Sequence, residues 1–282
     1  IGPSHSKAFA QAVAAEPEAF GDVQVFYATD KAFTGYRLDA AGVWAPAPMK
    51  AKRAARLREK SARFNDGAET VDAAAAERVL FVGAPNMAET IARLLDTHDV
   101  DGLRRQGARG ALSSAAFETM LEEMAHASRL PADRRALSGP DVAAMLAPHP
   151  SSLFRRSPSR AFAARRRVAE RPEGFAEALA RYMALTREAY AADGIALIEQ
   201  PAETLAETGA ETGDATEGGA AATRPAFSAG GRDASGERER DLTQMNGDFG
   251  RACLRAWLRP DATASAAREP RDDPEAAAPD AA

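Results

Sequence analysis

Arg78-Val79-Leu80-Phe81-Val82-Gly83 sets four apolar strand formers behind an arginine, stops them with glycine, and feeds a helical pattern from about Met87 to Leu95. Such a unit is one turn of a strand–helix alternation. Working outward, Val142 to Leu146 is closed by Ala147-Pro148-His149-Pro150, and Ile195-Ala196-Leu197-Ile198 ends at Gln200-Pro201. Upstream, Val23-Gln24-Val25-Phe26-Tyr27 is rich in β-formers, and Ile1 reads as the end of a first strand. Between these runs lie helical patterns. Ser4 to Ala15 aligns Phe9, Ala12 and Val13; Ser114 to Leu130 aligns Phe117, Met120, Leu121 and Met124; Pro172 to Ala192 aligns Phe175, Leu179, Tyr182 and Met183. The alternation predicts an α/β fold, a flavodoxin-like three-layer sandwich around a doubly wound parallel sheet of about five strands.

Chemistry in such sheets gathers beyond the carboxyl ends of the strands. Ser4, Gly83 to Asn86, His149 and Gln200 all fall there, so one rim is expected to hold them. A serine at a helix start sits beside unsatisfied N–H groups that stabilise a developing oxyanion, although the same position suits a plain capping serine.

The 282 residues suffice for a single domain, expected over 1–258. Residues 203–240 are rich in Gly, Ala, Thr and Glu without apolar periodicity and read as a flexible insertion; 259–282 read as a disordered tail. Lys50 to Glu77 is charged, a helix or a loop over the rim. The net charge of −5 gives no global pull toward nucleic acid or anionic membrane. Arg155, Arg156, Arg160, Arg165, Arg166 and Arg167 read as a solvated helix face, the alternative being a contact for phosphates or an acidic polysaccharide, and without interleaved aromatics no nucleic-acid partner is expected. Cys253 is the single cysteine, a buried thiol, so neither an internal disulfide nor a Cys-based zinc site is available. The four histidines lack metal-ligand spacing, and no cofactor is expected. No window of 18 apolar residues exists, so no membrane span is expected. The chain opens at Ile without Met, as though a strand had begun upstream; a cytoplasmic location is favoured.

Four blocks together carry a resemblance: Ile1-Gly2-Pro3-Ser4-His5, Leu80-Phe81-Val82-Gly83, Gln200-Pro201-Ala202-Glu203-Thr204, and Asp241 through Met245-Asn246 to Phe249-Gly250. In this order they resemble the SGNH, or GDSL-like, hydrolase superfamily, in its branch found near polysaccharide and capsule genes. The resemblance covers most of residues 1–258 outside the insertion. It implies a serine esterase or acyltransferase acting on an acylated small molecule or polysaccharide. Ser4 would be the nucleophile and Asp241 the orienting acid, with Ser4, Gly83 and Asn86 around the oxyanion. Gln244 stands where the family has its catalytic histidine. Asn86 falls one residue later than the family's Gly-x-Asn spacing, and the second-block glycine is not located, Gly35 being one option.

An amide has no useful basicity, so Gln244 cannot take the proton of Ser4. Asp241 and Gln244 also have the spacing of a capping box before the last helix. Among the histidines, His149 is the candidate substitute base. His5 adjoins Ser4 but is expected to point away, and His98 and His126 read as surface. The alternative to an enzyme is a catalytically silent relative that binds a saccharide or a protein partner.

Overall fold

The computed structural model describes residues 1–28, 30–206, 222–224, 228–230 and 240–259. A 3₁₀ turn, Ser4–Ser6, leads into helices α1 (Lys7–Ala15), α2 (Pro17–Phe20) and α3 (Asp30–Phe33). Strands β1 (Tyr36–Leu38) and β2 (Val43–Pro46), helix α4 (Ala51–Ala62) and strand β3 (Val71–Asp72) follow. Next come β4 (Arg78–Ala84), α5 (Ala88–Thr97), β5 (His98–Val100), β6 (Gly110–Leu112), α6 (Ser114–Ala127), α7 (Ala132–Arg135) and β7 (Asp141–Leu146). The chain continues through α8 (Ala163–Glu170), α9 (Phe175–Ala192), β8 (Ala196–Ile198), β9 (Ser228–Gly230), β10 (Arg240–Met245) and α10 (Gly247–Leu258).

The predicted runs at 78–82, 142–146 and 195–198 become one parallel sheet in the order β4-β7-β8, with Leu80 opposite Ala143 and Ala143 opposite Ala196. The α/β class therefore holds. Backbone pairing continues past β4 without a regular strand. The Ile1 nitrogen donates to the Leu80 carbonyl at 2.8 Å, and the Val82 N–H donates to the Ile1 carbonyl at 2.9 Å. Gly2 in turn exchanges bonds with Phe26 and Ala28, forming a parallel bridge to Tyr27.

Residues alternate across the sheet as a pleat requires. Leu80, Val82, Ala143, Met145, Ala196 and Ile198 face one core with Phe9 of α1 and Phe249, Cys253 and Trp257 of α10. Val79, Phe81, Ala144 and Leu146 face the other with Ile91 and Leu95 of α5, Phe117 of α6, and Phe175, Tyr182 and Tyr190 of α9. Helices thus cover both faces of the parallel sheet. On the second side the hydroxyls of Ser128 and Tyr182 bond at 2.7 Å, and the Tyr190 hydroxyl donates to the Ser128 carbonyl at 2.7 Å, locking α6 to α9.

Of the about five strands expected, three are regular in the parallel sheet, since the runs at Ile1 and 23–27 pair through isolated bonds and form no strand. Other features depart from the sequence reading as well. An antiparallel sheet β1-β2-β3 was not expected; Trp44 is fully buried beneath it with Phe33, Tyr36 and Phe81. His98, read as a surface loop residue, opens β5 and lays its ring over Gly110. Within 203–240, read as a flexible insertion, Ala222 and Thr223 are buried, Leu205 bridges Thr223, and β9 pairs with β10. The tail expected at 259–282 lies outside the described residues beyond Arg259.

Candidate functional site

Ser4 stands where the chain leaves its bridge with β4. Pro3 is extended, and the Ser6 N–H closes the turn on the Pro3 carbonyl at 2.9 Å. The turn rests on Gly83, at the carboxyl end of β4. There φ is +83° and the β4–β7 register shifts between Val82 and Ala84, so the backbone bends under the turn. A Cβ on Gly83 would stand 2.7 Å from the Pro3 ring and 3.6 Å from Cδ2 of His5. His5, expected to point away, therefore packs against the rim glycine, a placement its position after Ser4 did not signal.

Asn86 is spoken for in part. Its amide donates to the Ala147 carbonyl at 2.8 Å, and its carbonyl oxygen accepts from the Ala88 N–H at 3.0 Å. It stitches the end of β4 to the end of β7 while starting α5. Gly35 lies between α3 and β1, against Leu57 of α4 and the Ala32 carbonyl.

The last strand closes the arrangement. Cα atoms of β10 come within 8 Å of those of the Ser4–Ser6 turn, and α10 packs along α1. Asp241 and Gln244 belong to β10 by backbone; their side chains lie outside the described residues. The cap of α10 is Asn246, whose side chain accepts from the Phe249 N–H at 3.1 Å. The capping-box alternative for Asp241 and Gln244 is thereby replaced: both residues are strand, and the cap comes one residue after the strand ends.

No family model, curated protein or solved structure matches this chain.

His149 sits beyond β7 in a polar hub. Its N–H donates to Oε1 of Gln200 at 3.0 Å, and its carbonyl accepts from the Thr223 hydroxyl. The Gln200 amide donates to the hydroxyls of Thr204 and Thr223 at 3.1 and 3.0 Å. The Gln-Pro-x-Glu-Thr block is thus a brace that ties β8 to the rim. Nδ1 of His149 lies 3.5 Å from the Arg165 guanidinium. Enclosure by protein, reinforced by that cation, lowers the imidazole to about 3. A base so weak and so crowded takes up protons poorly near neutrality.

Arg165 corrects the reading of the arginine run. Arg155, Arg160 and Arg167 are exposed, but Arg165 is 1% exposed and sits over the rings of Phe154 and Phe175. Burial pulls its guanidinium down to about 10, partly offset by Glu89 at the start of α5. Burial conversely raises the Glu89 carboxyl, against the pull of Arg165 and Arg93. No sequence signal marks this cluster, because it joins α5, α8 and β7 across long separations.

A cavity of about 560 Å³ runs along β4 beneath Ile1, lined by Val23, Val25, Leu80, Trp257 and Leu258. None of Ser4, Gly83, Asn86 and His149 lines it. Among the described residues no three His, Cys, Asp or Glu side chains gather as metal ligands, and no helix is long and apolar enough to cross a membrane. Cys253 is buried on α10, where burial pushes its thiol up.

Proposed function

We propose that this chain is an SGNH-like ester hydrolase or acyltransferase acting on acylated carbohydrate, slowed by Gln244 at the base position. The observation that carries the reading is the seating of β10 against the Ser4–Ser6 turn, at the carboxyl end of the parallel strands. The backbone pairing supports the finer fold. Tyr27, Gly2, β4, β7 and β8 lie in the order second, first, third, fourth, fifth, which is that of a flavodoxin-like doubly wound sheet.

In this reading the Ser4 oxygen attacks the acyl carbon. The Ser–O–acyl bond forms, the bond to the sugar oxygen breaks, and the serine proton ends on that oxygen. The Ser4 and Gly83 N–H groups would meet the oxyanion, while Asn86 has already committed one N–H to Ala147. Proton removal is the weak step. Gln244 is an amide, and His149 is held neutral and weakly basic. Loss of a triad base costs about four to six orders of magnitude in turnover.

The test is covalent labelling with a fluorophosphonate, lost in Ser4→Ala, together with p-nitrophenyl acetate hydrolysis by Gln244→His. Labelling at Ser4 and a gain of several orders of magnitude in Gln244→His are expected. A folded Gln244→His protein with no gain would end the reading. The second reading, a silent saccharide binder on the same scaffold, is favoured by the joint loss of base strength at positions 244 and 149. It is supported if Ser4 resists labelling.

A further inference from the structure

The charged segment between β2 and β3 carries more than solubility. From Lys50 to Phe64 it holds Lys50, Lys52, Arg53, Arg56, Arg58, Lys60 and Arg63 against one carboxylate, Glu59. The inner face of α4 is fixed. Ser61 is fully buried, Leu57 packs on Gly35, and the Leu57 carbonyl accepts from the Tyr36 hydroxyl at 3.4 Å. At 3.6 residues per turn, Lys52, Arg56 and Arg63 then share a strip on the opposite face, with Lys60 beside it, over roughly 16 Å of helix. All four are exposed. Arg63 pairs with Glu59 and Arg58 with Glu69, but Lys52, Arg53, Arg56 and Lys60 make no ion pair among the described residues.

The carboxyl end of α4 is tied to the segment that bridges Gly2. Asn65, just past α4, accepts from the Tyr27 N–H at 2.8 Å and donates to the Tyr27 carbonyl at 2.9 Å and the Ser61 carbonyl at 2.8 Å. Tyr27 is the bridge partner of Gly2, two residues before Ser4. Phe64 packs at a tilt against Tyr27 with ring centroids 5.6 Å apart and is 39% exposed, the one exposed large hydrophobic side chain among the described residues. Cations along a helix thus lead to an aromatic pair, half-buried Tyr27 and exposed Phe64, on the segment that bridges Gly2.

We propose that α4 with Tyr27 and Phe64 binds an anionic glycan, a carboxylate-bearing polysaccharide, and lays it toward Ser4. The assignment rests on the acylated-carbohydrate reading and narrows it to an acidic substrate. Ring faces pack on the C–H faces of sugars, and spaced cations meet spaced carboxylates. A membrane surface fits less well, because the apolar side of α4 faces the protein and leaves a single aromatic tip outside. Nucleic acid fits less well, because no aromatic side chains alternate with the cations along the helix.

The test uses the whole chain with polygalacturonate as probe and dextran as the neutral control. Binding of polygalacturonate and not of dextran is expected, weakening about tenfold from low to physiological salt. The exposed triple variant K52E/R56E/K60E should lose about tenfold or more with an unchanged circular dichroism spectrum. Phe64→Ala should weaken binding several-fold and leave the salt dependence as it was. No binding by the unmodified chain, equal binding by the triple variant, or tighter binding to single-stranded DNA or phosphatidylserine vesicles would overturn the proposal. Fluorophosphonate labelling separates the two ideas. Labelled Ser4 without glycan binding removes the strip alone, and salt-sensitive glycan binding without labelling removes the esterase reading alone.

Discussion

Nη2 of Arg165 sits 3.5 Å from Nδ1 of His149, close enough that a charge on each would repel the other. The arginine keeps its charge, balanced by Glu89 and seated over two aromatic rings, while burial first and the arginine's repulsion second keep the histidine neutral. The folded imidazole titrates at about 3, against an ordinary value of 6.5. Between those two values the unfolded chain binds the extra proton, so this residue's contribution is present above pH 6.5 and is lost as pH falls toward 3. His149→Gln should therefore flatten the fall in stability over that acid window. Urea midpoints measured across the window check it, and an unchanged slope in the variant would refute the assignment.

Gln200 is the brace behind that pair. Its three bonds reach the His149 backbone and two hydroxyls, those of Thr204 and Thr223, which are themselves fully buried. Both hydroxyl protons are already committed, to the carbonyls of Pro201 and His149. Gln200→Glu would aim a carboxylate at two oxygens with no proton to offer, and Gln200→Ala would strip the His149 N–H of its acceptor and both hydroxyl oxygens of the bond they accept. Each change is expected to cost about 2–4 kcal/mol. A loss below about 0.5 kcal/mol by urea unfolding would show that water replaces the amide.

The central strands were legible because β4, β7 and β8 are short apolar runs between helices with clear stripes. The small antiparallel sheet was not, since Tyr36–Leu38 and Val43–Pro46 are too short for a period to emerge. Its turn did carry a signal. The Asp39 carboxylate accepts from the Ala41 and Val43 N–H groups, and Gly42 has φ of +79°, so Asp39-Ala40-Ala41-Gly42 is an Asx-type hairpin turn. At the site, Ser4 and Gly83 could be set on the rim from strand ends alone. The burial of Arg165 could not, because it depends on Phe154 and Phe175 closing over one arginine in a run of chemically identical neighbours.

Arg134 is a second buried cation with a different support. Its guanidinium lies 4.8 Å from the ring centroids of both Phe33 and Trp44, and burial lowers it to about 10. It makes no ion pair among the described residues, so contact with the aromatic rings is what the site offers it. Arg134→Lys concentrates the same charge on a group that cannot stack and should cost about 2 kcal/mol. Arg134→Met removes the buried charge while keeping the stem, and should be the milder change. Trp44 emission during urea unfolding reports both, and a lysine variant at least as stable as the methionine one would reverse the argument.

The meeting of the rim turn with β10 depends on how closely α10 approaches α1, and one residue tests that approach. A Cβ on Gly250 would stand 2.1 Å from the Ala8 carbonyl oxygen and 2.4 Å from its carbon, both backbone atoms that cannot rotate away. One turn earlier, a Cβ on Gly247 would meet Gln11 Cβ at 3.2 Å, a contact that a shift of a few tenths of an ångström relieves. Gly250→Ala should therefore cost about 3 kcal/mol despite alanine's better helix propensity, and Gly247→Ala should stay within about 1 kcal/mol of the parent. Because α10 carries β10 with it, Gly250→Ala should also lower fluorophosphonate labelling of Ser4 under conditions where the variant is still folded. If both alanines are tolerated equally, the two helices do not touch at Gly250, and the seating of β10 beside Ser4 loses its support.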